Sequence, residues 1–253
     1  MNKKKIHSIY LDVISKQEVL DKVVGWIDSR KEENCGHSIY LANVHMCMEA
    51  MDDESYKKII NSADLALMDG KPLSIFLKLL GHKDSIQIRG EDLTNELCRL
   101  SSKNKYRVGF YGSTQETLKT LNTKILNQFP ELDICFLESP PFRKLTSFEK
   151  KYYIDKINNN SVDILFVGLG CPKQEIWIND NIDKINSVML GVGAAFDFIS
   201  GNKKQAPKWM VHFGLEWFFR LISEPKRLWK RYLKHNPRFL IYSVFELIRR
   251  KRV

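Results

Sequence analysis

Five cysteines among 253 residues (Cys35, Cys47, Cys98, Cys135 and Cys171) include no C-x-x-C pair, and six histidines include no H-x-x-x-H or H-E-x-x-H. Neither a disulfide framework nor a metal site can be argued from that spacing, and reduced, packed thiols are the plain reading. No uncharged apolar run approaches the ~18 residues of a spanning helix. The start, MNKKKIHSIY, is basic but has no apolar core or small-residue cleavage site, so it is not a secretory leader and the chain is expected to stay in the cytosol. A complete G-x-G-x-x-G is missing too. Gly168-Leu169-Gly170 has Lys173 at the third glycine position, and Gly191-Val192-Gly193 has Phe196, which argues against a nicotinamide-dependent oxidoreductase.

What the chain has in excess is positive charge, and it is local. The net charge is +10, yet from Pro207 to Val253 twelve Lys and Arg face only Glu216, Glu224 and Glu246, so about +1 remains for the preceding 206 residues. The same stretch reads as two helical runs, Trp209 to Ile222 and Pro225 to Ile248. Trp217, Phe218, Trp229, Tyr232 and other rings are interleaved there with Arg220, Arg227, Lys230, Arg231, Lys234 and Arg238. Such a mixture suits an anionic membrane surface, with rings at the interface and cations on lipid phosphates. It suits equally a single-stranded nucleic acid stacked on the rings, or plain packing with the cations in water. Exposed aromatics there could also be covered by another subunit, as in a homo-oligomer. Composition alone leaves these readings open.

Before Gly201, strand and helix patterns alternate. Strands are expected at Ile6 to Val13, His37 to Ala42, Ala63 to Met68, Tyr106 to Tyr111, Leu132 to Leu137, Asp163 to Val167 and Ser187 to Val192, with amphipathic helices such as Lys16 to Arg30 between them. About six or seven such units predict an α/β fold: a Rossmann-like, mostly parallel sheet with helices on both faces. The expected division is an α/β catalytic domain over 1–206 and a helical basic appendage over 207–253.

Ligands of open α/β sheets bind beyond the carboxyl ends of the strands, and several polar residues are expected there. Asn43 is a good N-cap and equally a possible ligand contact. Asp69 ends a buried strand, where an apolar setting would raise its pKa and poise it as a proton acceptor, although Asp-Gly is also a common turn. Arg89 could clamp a phosphate or pair with a carboxylate. Gly112-Ser113-Thr114 could cap a helix or meet a phosphate. Beyond Gly168-Leu169-Gly170, the run Cys171-Pro172-Lys173-Gln174-Glu175 reads as a helix start whose free amides favour an anion, with Gln174 offering a donor and an acceptor; an ordinary helix start fits as well.

A resemblance decides among these readings. In order, the chain carries Ala42-Asn43-Val44-His45-Met46, Asp69-Gly70 with Pro72-Leu73, Leu79-Leu80-Gly81, Gly109-Phe110-Tyr111-Gly112, Pro140-Pro141-Phe142-Arg143 and Gly168 to Glu175. Gly191-Val192-Gly193-Ala194-Ala195-Phe196-Asp197-Phe198, Ala206-Pro207-Lys208-Trp209-Met210, Gly214-Leu215-Glu216-Trp217, Glu224-Pro225 and Asn236-Pro237-Arg238-Phe239 follow. This series closely resembles the WecG/TagA/CpsF glycosyltransferase family over nearly the whole chain. The resemblance implies an inverting transfer of an N-acetylmannosamine-type sugar from a UDP-sugar donor to a polyprenyl-diphosphate-linked sugar, for teichoic acid, capsule or exopolysaccharide. It implies Asp69 as base, with Asn43, Arg89 and Gln174 around sugar and diphosphate and Asp197 near the nucleotide. The turns at Gly112, Gly170 and Gly193 would shape that pocket. It also implies a basic carboxyl-terminal segment that closes over the site and touches the inner face of the cell membrane. No cofactor or metal is expected: the chain has no D-x-D tripeptide, the metal-holding device of many sugar-nucleotide transferases, and Arg220, Arg227, Lys230 and Arg231 could meet the diphosphate charge instead. The chain departs from the family at Leu41, where many members carry the threonine of T-x-N.

Overall fold

The computed structural model describes residues 2–33 and 35–251. Arg252 and Val253, the end of the basic stretch, lie outside the described residues. In chain order the elements are β1 (Lys3–Ile6), β2 (Ile9–Asp12), α1 (Lys16–Glu33), β3 (His37–Ala42), α2 (Val44–Asp52), α3 (Glu54–Asn61), β4 (Leu65–Met68) and α4 (Lys71–Leu79). Then come α5 (Gly90–Asn104), β5 (Arg107–Gly112), α6 (Gln115–Gln128), β6 (Asp133–Glu138), α7 (Ser147–Asn159), β7 (Ile164–Gly168), α8 (Lys173–Asn181), β8 (Val188–Gly191) and α9 (Ala195–Ile199). The chain ends in α10 (Lys208–His212), α11 (Glu216–Ser223) and α12 (Pro225–Lys251).

Six strands form one parallel sheet in the order β4-β3-β8-β7-β5-β6. The α/β expectation holds. Successive residues of a strand point to opposite faces, so Ile39, Leu41, Leu65 and Leu67 enter one core while Tyr40, Ala42, Ala66 and Met68 enter the other. With both faces covered, a strand such as β4 is buried at all four residues, which is why it reads as an unbroken apolar run. Phe110 stacks on Phe166 at 5.1 Å between ring centroids and meets Phe196 edge-on at 5.6 Å, tying β5, β7 and α9 together.

Two expectations are corrected. Ile6 to Val13 is not one strand of the sheet: His7 takes a left-handed backbone (φ 52°), the chain reverses, and β1 pairs with β2 in an antiparallel hairpin. This hairpin shields the outer edge of β4, where the Asp12 carboxylate accepts the Ala66 N–H at 2.9 Å. Trp209 to Ile222 is not one helix either. It breaks at Gly214 (φ 73°) into α10 and α11.

Helix α12 lies along α2. Arg238 makes two hydrogen bonds to the Asp52 carboxylate (2.9 and 2.5 Å), Lys234 lies 3.2 Å from it, and the buried Phe239 ring packs against Phe76 and His7. The sheet order reverses around β3, β8 and β7, so the loops leaving β3, β4, β7 and β8 gather at one rim.

The ends of β5 and β7 approach closely at that rim. A Cβ on Gly112 (φ 118°) would lie 2.7 Å from the Gly168 backbone, whereas one on Gly170 (φ 81°) would meet nothing within 4 Å. By urea denaturation, Gly112→Ala is expected to cost about 3 kcal/mol, and Gly170→Ala only about 1–2 kcal/mol for its backbone. Equal losses would contradict the close approach.

Candidate active site

At the rim, two cavities share a wall. A polar one of ≈ 120 Å³ lies between the glycine turns after β7 and β8, the start of α5, and helices α11 and α12. A larger one of ≈ 560 Å³ lies between the loops after β3 and β4 and the carboxyl-terminal helices, and its lining is mostly apolar, with Val211, Trp217, Leu221, Trp229, Leu233 and Phe239. Asn43, Asp69, Glu216, Arg220 and Arg231 border both.

Asp69 follows the last residue of β4. Its Oδ1 accepts the N–H of Gly90, the first residue of α5, at 2.9 Å, and its carbonyl accepts Gln87 Nε2 at 2.6 Å. Burial pushes its carboxyl up to about 6. The Gly90 hydrogen bond opposes that, the Glu216 carboxylate adds to it, and Arg220 and Arg89 oppose it at longer range. Among the described residues no cation is in ion-pair contact with it. The residue thus sits in the turn after β4 with a carboxyl whose pKa is raised.

Asn43 is an N-cap: its Oδ1 accepts the Met46 N–H at 3.2 Å, which fixes the side chain in the wall of both cavities. Gln174 is buried, with Oε1 accepting the Gly170 N–H (3.1 Å) and Nε2 donating to Glu175 Oε1 (2.7 Å). A Cβ on Gly191 would come within 3.1 Å of its amide, so Gln174 braces both glycine turns as it lines the polar cavity. Glu175 is buried, and among the described residues no cation is in ion-pair contact with it. The Tyr56 hydroxyl donates to its Oε2 at 3.0 Å, and burial raises its pKa. Gly170 and Gly193 line the polar cavity with Gln174. Gly112, Asp197 and Lys230 line neither cavity: Gly112 abuts Gly168, Asp197 pairs with Lys203 at 2.5 Å, and Lys230 stands over the Trp229 ring.

Four guanidinium groups face the polar cavity. Arg227 is held by Glu224 at 2.6 Å, and Arg89 makes only long contacts to Glu216 (3.8 Å), Glu91 (3.6 Å) and Asp92 (3.9 Å). Arg220 lies over the Phe198 ring and Arg231 over the Tyr232 ring. Each has a buried Nε without a hydrogen-bond partner and no carboxylate within ion-pair distance among the described residues. Burial lowers the pKa of Arg231. A guanidinium partly withdrawn from water without a counter-charge is costly, and two of them facing one small cavity have the chemistry to accept an anion there.

Sequence reasoning gave no role to Glu216, which borders both cavities and raises the Asp69 pKa, although it stood within a quoted motif. It gave none to His45 or His235, which line the apolar cavity from α2 and α12; burial, with Arg231 next, pushes His45 down to about 3.

Known proteins are similar to this chain in sequence. An enzyme of Bacillus spizizenii named N-acetylglucosaminyldiphosphoundecaprenol N-acetyl-beta-D-mannosaminyltransferase is 32% identical over 203 residues, covering 80% of this chain and 77% of its own. A Bacillus subtilis enzyme of the same name matches to the same extent. A Staphylococcus aureus one is 28% identical over 203 residues, with the same two shares. Residues 4–253, which take in every strand end and helix of both cavities, match the glycosyl transferase WecG/TagA/CpsF family, and the chain belongs to that family.

Proposed function

We propose that this glycosyltransferase moves an N-acetylmannosamine-type sugar from a UDP-sugar to the sugar hydroxyl of a polyprenyl-diphosphate-linked acceptor, with inversion, as Asp69 takes the hydroxyl proton. The observation that carries this reading is the position of Asp69 between an anion site and an apolar cavity. The names of the relatives supply the sugar and the carrier: N-acetylmannosamine and diphosphoundecaprenol.

In the proposed reaction the acceptor oxygen forms a bond to the anomeric carbon while the bond to the UDP oxygen breaks on the opposite face. The acceptor proton passes to Asp69, and the charge left on the diphosphate is met by Arg220 and Arg231, with Arg89 and Arg227 around them. Fixed guanidinium groups then do what a divalent ion does in other sugar-nucleotide transferases. The apolar cavity holds the first isoprene units of the carrier. Residues from Pro207 onward act as the appendage that roofs both cavities.

The outer face of α12 supports docking on an anionic membrane. Ile241, Val244, Phe245 and Ile248 are all exposed at helical spacing and line neither cavity. Among the described residues no helix is long and apolar enough to cross a membrane. Against the nucleic-acid reading, Arg227, Lys234, Arg238 and Arg250 are each already paired with a carboxylate.

The direct test offers a panel of UDP-sugars with a short-chain prenyl-diphosphate GlcNAc and identifies the product by mass. Transfer of an N-acetylhexosamine is expected, and no product from any UDP-sugar would end the proposal. Asp69→Asn is expected to lower kcat about 10²- to 10⁴-fold with UDP-sugar binding retained. Because the folded pKa is raised, wild-type stability drops as pH climbs from about 4 to about 6. The same variant should therefore be more stable than wild type at pH 7.5, by about 2–3 kcal/mol. Near-normal turnover would remove Asp69 as base. Arg231→Gln should cost about 10²- to 10³-fold in kcat; an unchanged kcat would place the diphosphate elsewhere. The double variant Ile241→Asp, Phe245→Asp should no longer float with anionic liposomes. Flotation equal to wild type would move membrane contact off this face.

A further inference from the structure

Helix α2 places His45 and Glu49 four residues apart, hence on one face. From the far end of the sequence, α12 brings His235 against them, with the two imidazole rings 4.8 Å apart between centroids. We propose that His45, Glu49 and His235 form a binding site for a zinc-class transition-metal dication that clamps α12 to α2. Glu49 Oε1 lies 3.1 Å from His235 Nε2 and 3.8 Å from His45 Nδ1, and one ligand atom from each of the three residues falls within 4.8 Å of the others. Ligands at tetrahedral angles around zinc stand about 3.4 Å apart, so small rotations of the side chains close the set.

Burial points the same way. Both imidazoles are nearly out of water; His45 keeps a buried Nδ1 with no hydrogen-bond partner, while His235 turns its Nε2 to Glu49 and leaves its own Nδ1 unpartnered on the other side of the ring. Unpartnered nitrogens of this kind are rare in a folded chain. At His45 that Nδ1 faces a carboxylate oxygen, an arrangement that a shared cation satisfies. Lys234, 3.5 Å from Glu49, is the competitor, but it already lies closer to Asp52 at 3.2 Å and can leave Glu49 to the metal. Two imidazoles and one carboxylate select zinc, nickel or copper over magnesium or calcium. His45 and His235 also line the apolar cavity, so a fourth ligand position opens toward it and a bound ion would stiffen the joint between appendage and sheet domain.

This site stands apart from the transferase reading, because it puts no metal at Asp69 and its failure would leave that reading intact. The test titrates Zn²⁺ into the full chain after dialysis against EDTA, following heat and Tm. One equivalent should bind, and Zn²⁺ at about a hundredfold over its Kd should raise the Tm by several degrees. His45→Gln and His235→Gln should each weaken binding at least about tenfold, while His212→Gln, on an exposed histidine, should bind as wild type. Co²⁺ on the wild-type chain gives a readout free of any folding defect in the variants. Strong visible absorption of four-coordinate, imidazole-bound cobalt is expected. No heat and no Tm change, equal binding by wild type and both variants, equal stabilisation by Mg²⁺, or the weak spectrum of six-coordinate cobalt would each overturn the proposal.

Discussion

Taking the Asp69 carboxyl out of water at the end of a parallel strand is the constraint on which the rest of the molecule depends. Because β4 is buried along its whole length, the side chain that follows it leaves from a buried strand end, and the N–H that opens α5 supplies a hydrogen bond. A Cβ on Gly90 would meet Leu41 Cδ1 at 2.8 Å, so a side chain there would push the Leu41 methyl aside. Leu41 thus packs under the helix start that holds the acid. The departure from the family's T-x-N pattern therefore falls in the wall of the polar cavity, one residue before Ala42, whose carbonyl accepts the Asp69 N–H at 2.9 Å.

The carboxyl-terminal helices divide their charges between two tasks. Lys234 and Arg238 are used on Asp52 to seat α12 along α2, and His7 meets Ser243 and Glu246 further along the same helix. Arg220 and Arg231 are left over the polar cavity with a buried Nε that has no hydrogen-bond partner. The proposed reaction uses these two cations and not the ones that fix the scaffold. The proposed membrane contact uses neither set. It draws on the apolar stripe on the outer side of α12, so docking and phosphate binding are separable.

Much of this was legible in the sequence because it rests on local patterns. Five of the six sheet strands carry buried apolar runs of the right length, the edge strand β6 burying only Phe136, and Asn43 and Asp69 follow two of them directly. The hairpin was hidden because Ile6 to Val13 has the composition of one strand, and only the left-handed turn at His7 splits it. Asp197, expected near the nucleotide from its motif, pairs with Lys203, six positions on, while its neighbours Ala195 and Phe198 line the polar cavity. Glu216 and the cluster of His45, Glu49 and His235 depend on how α11 and α12 fold back over the sheet. That is a contact across most of the chain, and no spacing rule reaches it.

The central claim is that Asp69 is a desolvated carboxyl poised to take a proton near neutrality. Carbon-13 NMR of the full chain with labelled aspartate, titrated through pH, reads that property without substrate or turnover. The account predicts a carboxyl midpoint of about 6 for Asp69, assigned by its loss in Asp69→Asn. A midpoint near 4, the ordinary value for an aspartate in water, would contradict it.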